Sequence, residues 1–343
     1  MPSTELCRAL GIEQPILSVG FAAAAGPELA AAVSNAGGLG VVGGSGFPSS
    51  YLRERIAATR ELTDRPFGIN LIIDDQGDPE ATAVLHERFS ACVDELVPVI
   101  VLFEGDPSWY VDAARGRGPK VFIQVGSPAE ARAAADAGVD AVIAQGVEAG
   151  GHIAARHGLF VNLPAIVDAV APLPVLASGG IADGRGLAAA IALGAQGVSL
   201  GTRFVATDEA FVSDEYKRRV VASGAADTFY SEFLFDVNWP DVPHRAIKTK
   251  AYDEWVGAGM PPSGERPGEG ETIGALHRPW GELEISRWTS FMATPWFEGD
   301  LEFAPLWAGE SVELVHEILP AGEVVRRIAA EADEVLARVG RYA

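Results

Sequence analysis

Between Pro15 and Leu200 the chain alternates between eight short apolar runs and longer runs rich in Ala, Glu and Arg, one after each apolar run but the last. The apolar runs cover 15–19, 39–42, 67–72, 97–103, 120–125, 141–145, 174–177 and 197–200. They are apolar throughout, as parallel strands covered on both faces must be. The intervening runs predict helices near 27–36, 49–62, 79–95, 107–116, 127–137, 162–171 and 183–193. Pro27, Pro48, Pro79, Pro107 and Pro128 stand near helix starts, where a missing N–H is tolerated, and Gly37, Gly138 and Gly194 follow helix ends. A doubly wound open sheet usually has about five or six strands. Eight βα units in succession instead predict an α/β fold closed into a (β/α)8 TIM barrel.

The rhythm stops near residue 224. Residues 225–305 hold five of the seven tryptophans, Trp239, Trp255, Trp280, Trp288 and Trp296, and the Gly- and Pro-rich stretch 257–271 reads as a loop or hinge. The expected organisation is a barrel over 1–224, a smaller inserted or lid domain over 225–305, and a helical segment over 306–343 that returns to the barrel. That last segment shows apolar residues at helical spacing, first Val312, Val315 and Ile318, then Val324 to Leu336. The tryptophans would either wall the pocket or form the core of the small domain, and the second reading is expected for at least three of the five.

Charge and cysteine content narrow the partners. The 343 residues carry 26 Lys and Arg against 47 Asp and Glu, a net charge of −21, which argues against nucleic acid and anionic lipid. With 48% hydrophobic residues the chain is neither disordered nor fibrous. Cys7 and Cys92 make no disulfide framework and suit a reducing cytosol. No apolar core of signal-peptide length opens the chain, and no run of ~18 apolar residues occurs, so a cytoplasmic protein with no membrane span is expected.

Active sites of such barrels gather at the C-terminal strand ends. The seventh run continues as Ser178-Gly179-Gly180-Ile181-Ala182-Asp183, and the eighth as Gly201-Thr202-Arg203. Adjacent glycines let backbone N–H groups approach an anion, and Thr202 adds a hydroxyl. Gly179-Gly180 alone could be a tight turn; the two segments together predict a phosphate site. The sixth run ends in Gln145-Gly146-Val147-Glu148-Ala149-Gly150-Gly151-His152. Its glycines can bring backbone against a flat ring, and His152 in the same mouth suits proton transfer near neutral pH. His157 is a weaker candidate, and His86, His244, His277 and His316 read as surface or structural. Asn70, Gln124 and Gln145 place three amides at strand ends, either capping their own strands or meeting a ligand rich in carbonyls and ring nitrogens, as a flavin is. No dinucleotide fingerprint, P-loop, nucleophile elbow or metal-ligand spacing occurs; Gly43-Gly44-Ser45-Gly46 lacks the P-loop lysine.

With these runs in view the chain resembles the nitronate monooxygenase family, once called 2-nitropropane dioxygenases. The resemblance lies in 28–40, 65–70, 145–152, 177–186 and 194–204, together spanning about residues 12–206, with Trp307-Ala308-Gly309 and the last helix added. It implies a barrel with an inserted smaller domain, FMN at the barrel mouth and a histidine beside the flavin, by position His152. The implied FMN contacts are Gly20, Asn70, Gln124, Gln145, Gly150, Gly151, Ser178, Gly179, Gly180, Gly201 and Thr202. One departure is Ser18-Val19-Gly20-Phe21-Ala22, where the family often carries a Pro-Met or Gly-Gly-Met run. The tyrosine- and lysine-bearing pattern of some members is not recognisable in 225–305.

The implied activity is oxidation of alkyl nitronates, or of nitroalkanes after deprotonation by His152, with O2 as oxidant and a carbonyl compound and nitrite as products. Expected partners are that small molecule and O2, without nucleic acid or membrane, and a second copy of the chain as an assembly to be tested. The runner-up is a flavin-dependent enoyl-acyl carrier protein reductase using NADH, or a related FMN oxidoreductase of a biosynthetic pathway. Such a reductase would dock an acidic carrier, which the net charge opposes except at a local patch such as Lys217-Arg218-Arg219. A third reading is a non-catalytic flavin- or phosphate-binding barrel.

Overall fold

The computed structural model describes residues 4–74 and 76–341. Eight parallel strands form its main sheet: β1 (Ile16–Ser18), β2 (Gly40–Gly43), β3 (Phe67–Ile72), β4 (Val99–Phe103), β5 (Lys120–Val125), β6 (Ala141–Gln145), β7 (Val175–Ser178) and β8 (Gly197–Leu200). The hydrogen-bonded order runs β1-β8-β7-β6-β5-β4-β3-β2. The ring closes where Leu17 bridges Leu39, with Ser18 N–H donating to Leu39 O at 3.1 Å and Leu39 N–H to Ile16 O at 2.9 Å. The expected TIM barrel is therefore the fold.

Successive strand residues face opposite sides, and the two faces bury different partners. One face carries Ile69, Ile100, Leu102, Ile123 and Val142 into a large cluster with helix residues such as Leu29, Leu52, Phe89 and Leu163. The other carries Val99, Val101, Phe122, Ala141, Ile143 and Leu176 into the barrel interior. There they meet a helix that sequence reasoning did not anticipate, Glu5–Leu10, through Leu6, Cys7 and Leu10. Its capping signals are local: the Thr4 side chain accepts from Cys7 N–H at 3.2 Å, and Gly11 ends it at φ 68°, where a glycine is unstrained. Because this cluster includes the strand-start residues Val99 and Ala141, the helix plugs the N-terminal end. The C-terminal end is left for a site.

The segment after residue 305 differs from the expected helix at one place. Glu310–Leu314 is a single 3-10 turn, and the long helix is Ala321–Val339. Residue 319 runs as extended chain, bridging to Thr207, and Pro320 then caps the helix start. Once started, the helix packs on Gly184–Ala192 and Pro27–Asn35, closing the helical ring between the last and first βα units.

Residues 228–299 carry two small antiparallel sheets. In one, Thr272–Arg278 lies between Gly281–Ser286 and Phe297–Gly299. In the other, His244–Ile247 pairs with Thr228–Ser231 on one side and with Gly151–His152 of the β6 loop on the other. Trp255 and Trp288 join Phe229, Leu234, Phe235 and Trp307 in a compact apolar cluster. Trp280 and Trp296 pack on Tyr51. Of the five tryptophans in 225–305, Trp239 alone lines the cavity described below. Among the described residues no helix is long and apolar enough to cross a membrane.

Candidate active site

The strand ends open into a cavity of about 410 Å³. His152 and every FMN contact implied by the resemblance line it: Gly20, Asn70, Gln124, Gln145, Gly150, Gly151, Ser178, Gly179, Gly180, Gly201 and Thr202. They come from β1, β3, β5, β6, β7 and β8, so no short segment of chain could have shown that they converge.

The β7 and β8 turns are shaped for an anion. Gly179 and Gly180 adopt φ of 99° and 69°, which a side-chain-bearing residue rarely tolerates. Among the described residues, the N–H groups of Gly179, Gly180 and Gly201 have no protein acceptor. Thr202 Oγ accepts from Gly309 N–H at 2.9 Å, which leaves its hydroxyl proton free to donate. These donors fit a phosphate without a cation. The one buried cation beside them, Arg203, points away, to the carbonyls of Ala206 and Glu317, each at 2.8 Å.

The glycines of the β6 loop do different work. A Cβ on Gly150 would stand 2.3 Å from Gly309 N, so Gly150 admits the returning segment Trp307–Gly309. A Cβ on Gly151 would meet nothing within 4 Å, and its φ is 70°. Of the three amides, two have prior engagements. Gln145 donates from Nε2 to His152 O at 3.0 Å and accepts from Ala154 N–H at 2.8 Å, so it braces the loop that carries His152. Asn70 donates to Val101 O at 3.1 Å, leaving its Oδ1 as acceptor. Gln124 faces the cavity with both amide atoms uncommitted.

His152 is seated between the barrel and the segment 238–307. Its Nε2 lies 3.1 Å from Ser290 Oγ, and its ring packs 4.1 Å from Trp239 and 5.2 Å from Trp307, between centroids. Trp239 is itself fixed to the barrel, donating from Nε1 to Asp74 at 2.8 Å. Desolvation, with a smaller contribution from His244, pushes the His152 pKa down to about 3. The imidazole is therefore neutral at pH 7 and keeps one ring nitrogen as an acceptor. His244 is structural, as expected: Phe235 N–H donates to its Nε2 at 3.2 Å, and its Nδ1 lies 3.1 Å from Val242 O. His157 is exposed and outside the cavity.

Phe21, in the departing run after β1, lines the cavity; sequence reasoning missed Ser45 on the barrel side, and Asn238, Ser290, Phe291, Met292 and Trp307 on the other. Ser45 had a signal in its glycine-rich run after β2. Asn238 and Ser290 had none. They are joined reciprocally, Ser290 N–H to Asn238 Oδ1 at 2.7 Å and Asn238 Nδ2 to Ser290 O at 2.9 Å, a pairing across 52 residues.

With this geometry in place, the comparisons with known proteins are informative. A family model described as nitronate monooxygenase matches residues 3–331. A nitronate monooxygenase of Pseudomonas aeruginosa is 31% identical over 94% of this chain and 97% of that protein. An oxo-octahydroindene-carboxyl-CoA dehydrogenase of Rhodococcus jostii is 36% identical over 72% of this chain, which spans only 66% of that relative's length. Among solved structures, FabK from Thermotoga maritima aligns over 100% of both chains with a TM-score of 0.79 and 33% identity. A nitroalkane oxidase from Streptomyces ansochromogenes aligns over 96% of this chain and 98% of that one, with a TM-score of 0.77 and 27% identity.

Proposed function

The chain belongs to the nitronate monooxygenase family, an oxidoreductase family, and from that premise we propose that it oxidises nitroalkanes and alkyl nitronates with FMN as cofactor and O2 as oxidant. The products are a carbonyl compound and nitrite. The observation that carries this reading is a neutral histidine, His152, facing the same cavity as an uncommitted set of N–H donors at Gly179, Gly180 and Gly201.

FMN, when bound, supplies the redox chemistry. The chain supplies the rest. Gly179, Gly180, Gly201 and Thr202 hold the phosphate through backbone N–H groups and one hydroxyl. Gln124 and the free Oδ1 of Asn70 offer a donor and acceptors to the ring edge. Trp239 and Trp307 form the opposite wall and exclude water. His152 accepts the α-proton of a nitroalkane: the C–H bond breaks, an N–H bond forms on the imidazole, and the electron pair passes to the nitro oxygens. The resulting imidazolium and nitronate neutralise each other in a site of low polarity.

A second reading, redox chemistry next to a thioester carbonyl, is favoured by the resemblance to a CoA-thioester dehydrogenase. One experiment separates the two. The flavin-loaded protein is mixed anaerobically with 1-nitropropane or its nitronate, and separately with NADH, and bleaching of the flavin is followed. Bleaching by the nitro compound, with nitrite formed once air is admitted, supports the first reading. Bleaching by NADH alone moves the assignment to the second.

A further inference from the structure

Asn238 and Trp239 are neighbours in sequence with anchors in different parts of the fold. Asn238 is bonded twice to Ser290, within the inserted region. Trp239 reaches the barrel instead, donating from Nε1 to Asp74 Oδ2 at 2.8 Å, across 165 residues. Asp74 lies just beyond the end of β3, and its other oxygen accepts Gln76 N–H at 3.0 Å.

The same indole packs on His152, 4.1 Å between centroids. His152 belongs to the β6 loop, and β4 and β5 stand between β6 and β3 in the ring. The indole therefore spans the mouth over the ends of those two strands, where Phe103 and Gln124 line the cavity. Gln124 also lines a neighbouring cavity of about 340 Å³, together with Glu104. Desolvation first, then the charges of Glu130 and Asp74, raise the Glu104 carboxyl to about 6, so Asp74 stands near that second cavity. The tie from Trp239 to Asp74 is thus made where the two cavities adjoin. Val237, Asn238 and Pro240 are exposed, so the backbone here runs along the outer surface and only the indole reaches inward. An indole has one N–H to give, and giving it to a carboxylate makes a stronger bond than a neutral acceptor would.

We infer that Asp74 is a positioning residue that, by holding Trp239 across the mouth, limits the length of substrate the cavity accepts. The identity of that substrate rests on the proposed nitroalkane chemistry. The cavity of about 410 Å³ has to take the flavin ring as well as the substrate, so a fixed roof leaves space for a short alkyl tail. With the tie removed, the indole turns outward and a longer tail extends past Gln124 toward the second cavity. The contact of His152 with Ser290 does not involve the tie, so proton removal from a short substrate is largely preserved.

The test compares the flavin-loaded parent with Asp74→Ala and Asp74→Asn. An asparagine Oδ1 still accepts an indole N–H, so the conservative variant should behave as the parent. Turnover is read as separate kcat and KM for nitroethane and 1-nitrohexane. Binding is read from the flavin absorbance with 2-methyl-2-nitropropane and 2-methyl-2-nitrooctane, which carry no α-proton and cannot react. Acrylamide quenching of tryptophan fluorescence, with Trp239→Phe as reference, reports exposure of the indole.

The expected result is that Asp74→Ala raises the preference for the longer member of each pair by about tenfold, mostly through KM and Kd, as loss of one charge-assisted bond implies. Quenching rises in that variant, while Asp74→Asn stays within about threefold of the parent in every readout. Adding Asp74→Ala to Trp239→Phe changes nothing further, because the donor is already gone. An unchanged length preference in Asp74→Ala overturns the inference, as does an equal loss for both lengths. A matching shift in Asp74→Asn also overturns it, because charge and not the bond would then act. If no nitro compound is turned over, the proposed activity fails, yet the two inert probes still decide the inference: a shift toward the longer one supports it, and no shift overturns it. If Asp74→Ala yields no flavin-loaded protein, Trp239→Phe carries the same expectation for the length preference, and no shift there overturns the inference.

Discussion

Ser290 Oγ lies 3.1 Å from His152 Nε2, although 138 residues separate the two in sequence. The histidine comes from the β6 loop and the serine from the connection between the strands Gly281–Ser286 and Phe297–Gly299. Asn238 holds the serine backbone from both sides. The orientation of the proposed base is thus set by residues 238–307 together with Gln145 of the barrel, which braces the loop that carries it.

Ser290→Ala removes that hydrogen bond without changing the cavity charge. A typical net hydrogen-bond contribution of about 0.5–1.5 kcal/mol translates into a loss of about 2- to 10-fold in kcat/KM for 1-nitropropane. Flavin content should be unchanged. Steady-state kinetics beside the absorbance spectrum check this, and an unaltered kcat/KM would show that packing against Trp239 and Trp307 orients the ring alone.

His152→Asn should leave flavin bound and lower turnover of neutral nitroalkanes by about 10²–10⁴, the usual share of general base catalysis. A pre-formed nitronate needs no deprotonation and should suffer less. Comparing the two substrates on the same variant separates base loss from pocket damage; equal losses would make His152 a binding residue only.

The pH dependence has a defined sign. The folded pKa of His152 is pushed from 6.5 down to about 3, and that of His244 to about 4. The base thus stays unprotonated from pH 8 to pH 5, and kcat/KM for a neutral nitroalkane should show no limb near 6.5 from this group. Stability responds over the same range. Below 6.5 the unfolded chain binds protons that the folded one refuses, so stability is full above 6.5 and falls as pH drops toward 3–4. Thermal unfolding between pH 7.5 and 4.5 should show this slope, reduced in His152→Asn. A rate profile with an inflection near 6.5 would place the imidazole in a more polar setting than its neighbours imply.

Gly180→Asp places a carboxylate at the proposed phosphate-binding turn, at a φ of 69° and with its Cβ about 3.4 Å from the Cβ of Glu148. The variant should lose FMN while retaining the far-ultraviolet circular dichroism of the parent. Flavin released by denaturation and identified by chromatography gives the readout. Retention of FMN at parental stoichiometry would move the phosphate elsewhere.

Leu6→Ala tests the barrel plug. Leu6 is 2% exposed and packs in the interior cluster. Its truncation should cost about 2–5 kcal/mol of stability, as buried Leu→Ala changes do, and leave kinetics unaltered because the plug lies at the end opposite the cavity. Chemical denaturation and an activity assay check both halves.

The barrel was legible because each of its strands announces itself locally. A run such as Val99–Phe103 is apolar at every position because helices cover one face and the barrel interior the other, and that constraint repeats eight times. The glycine turns at 150–151 and 179–180 were legible for a related reason: backbone that takes positive φ or admits close approach has to be glycine. What sequence could not show was how side chains would be used. Gln145 reads as a ligand contact by its place at a strand end, yet its hydrogen bonds go to the loop beyond it. Asn238, Ser290 and Trp239 lie in a stretch with no repeating pattern, and their meaning depends on contacts made across 52 to 165 residues. Periodicity encodes what each element buries, and backbone geometry encodes where glycine must stand. The company that His152 keeps is a property of the closed ring and the segment folded over it, so only the tertiary structure decided it.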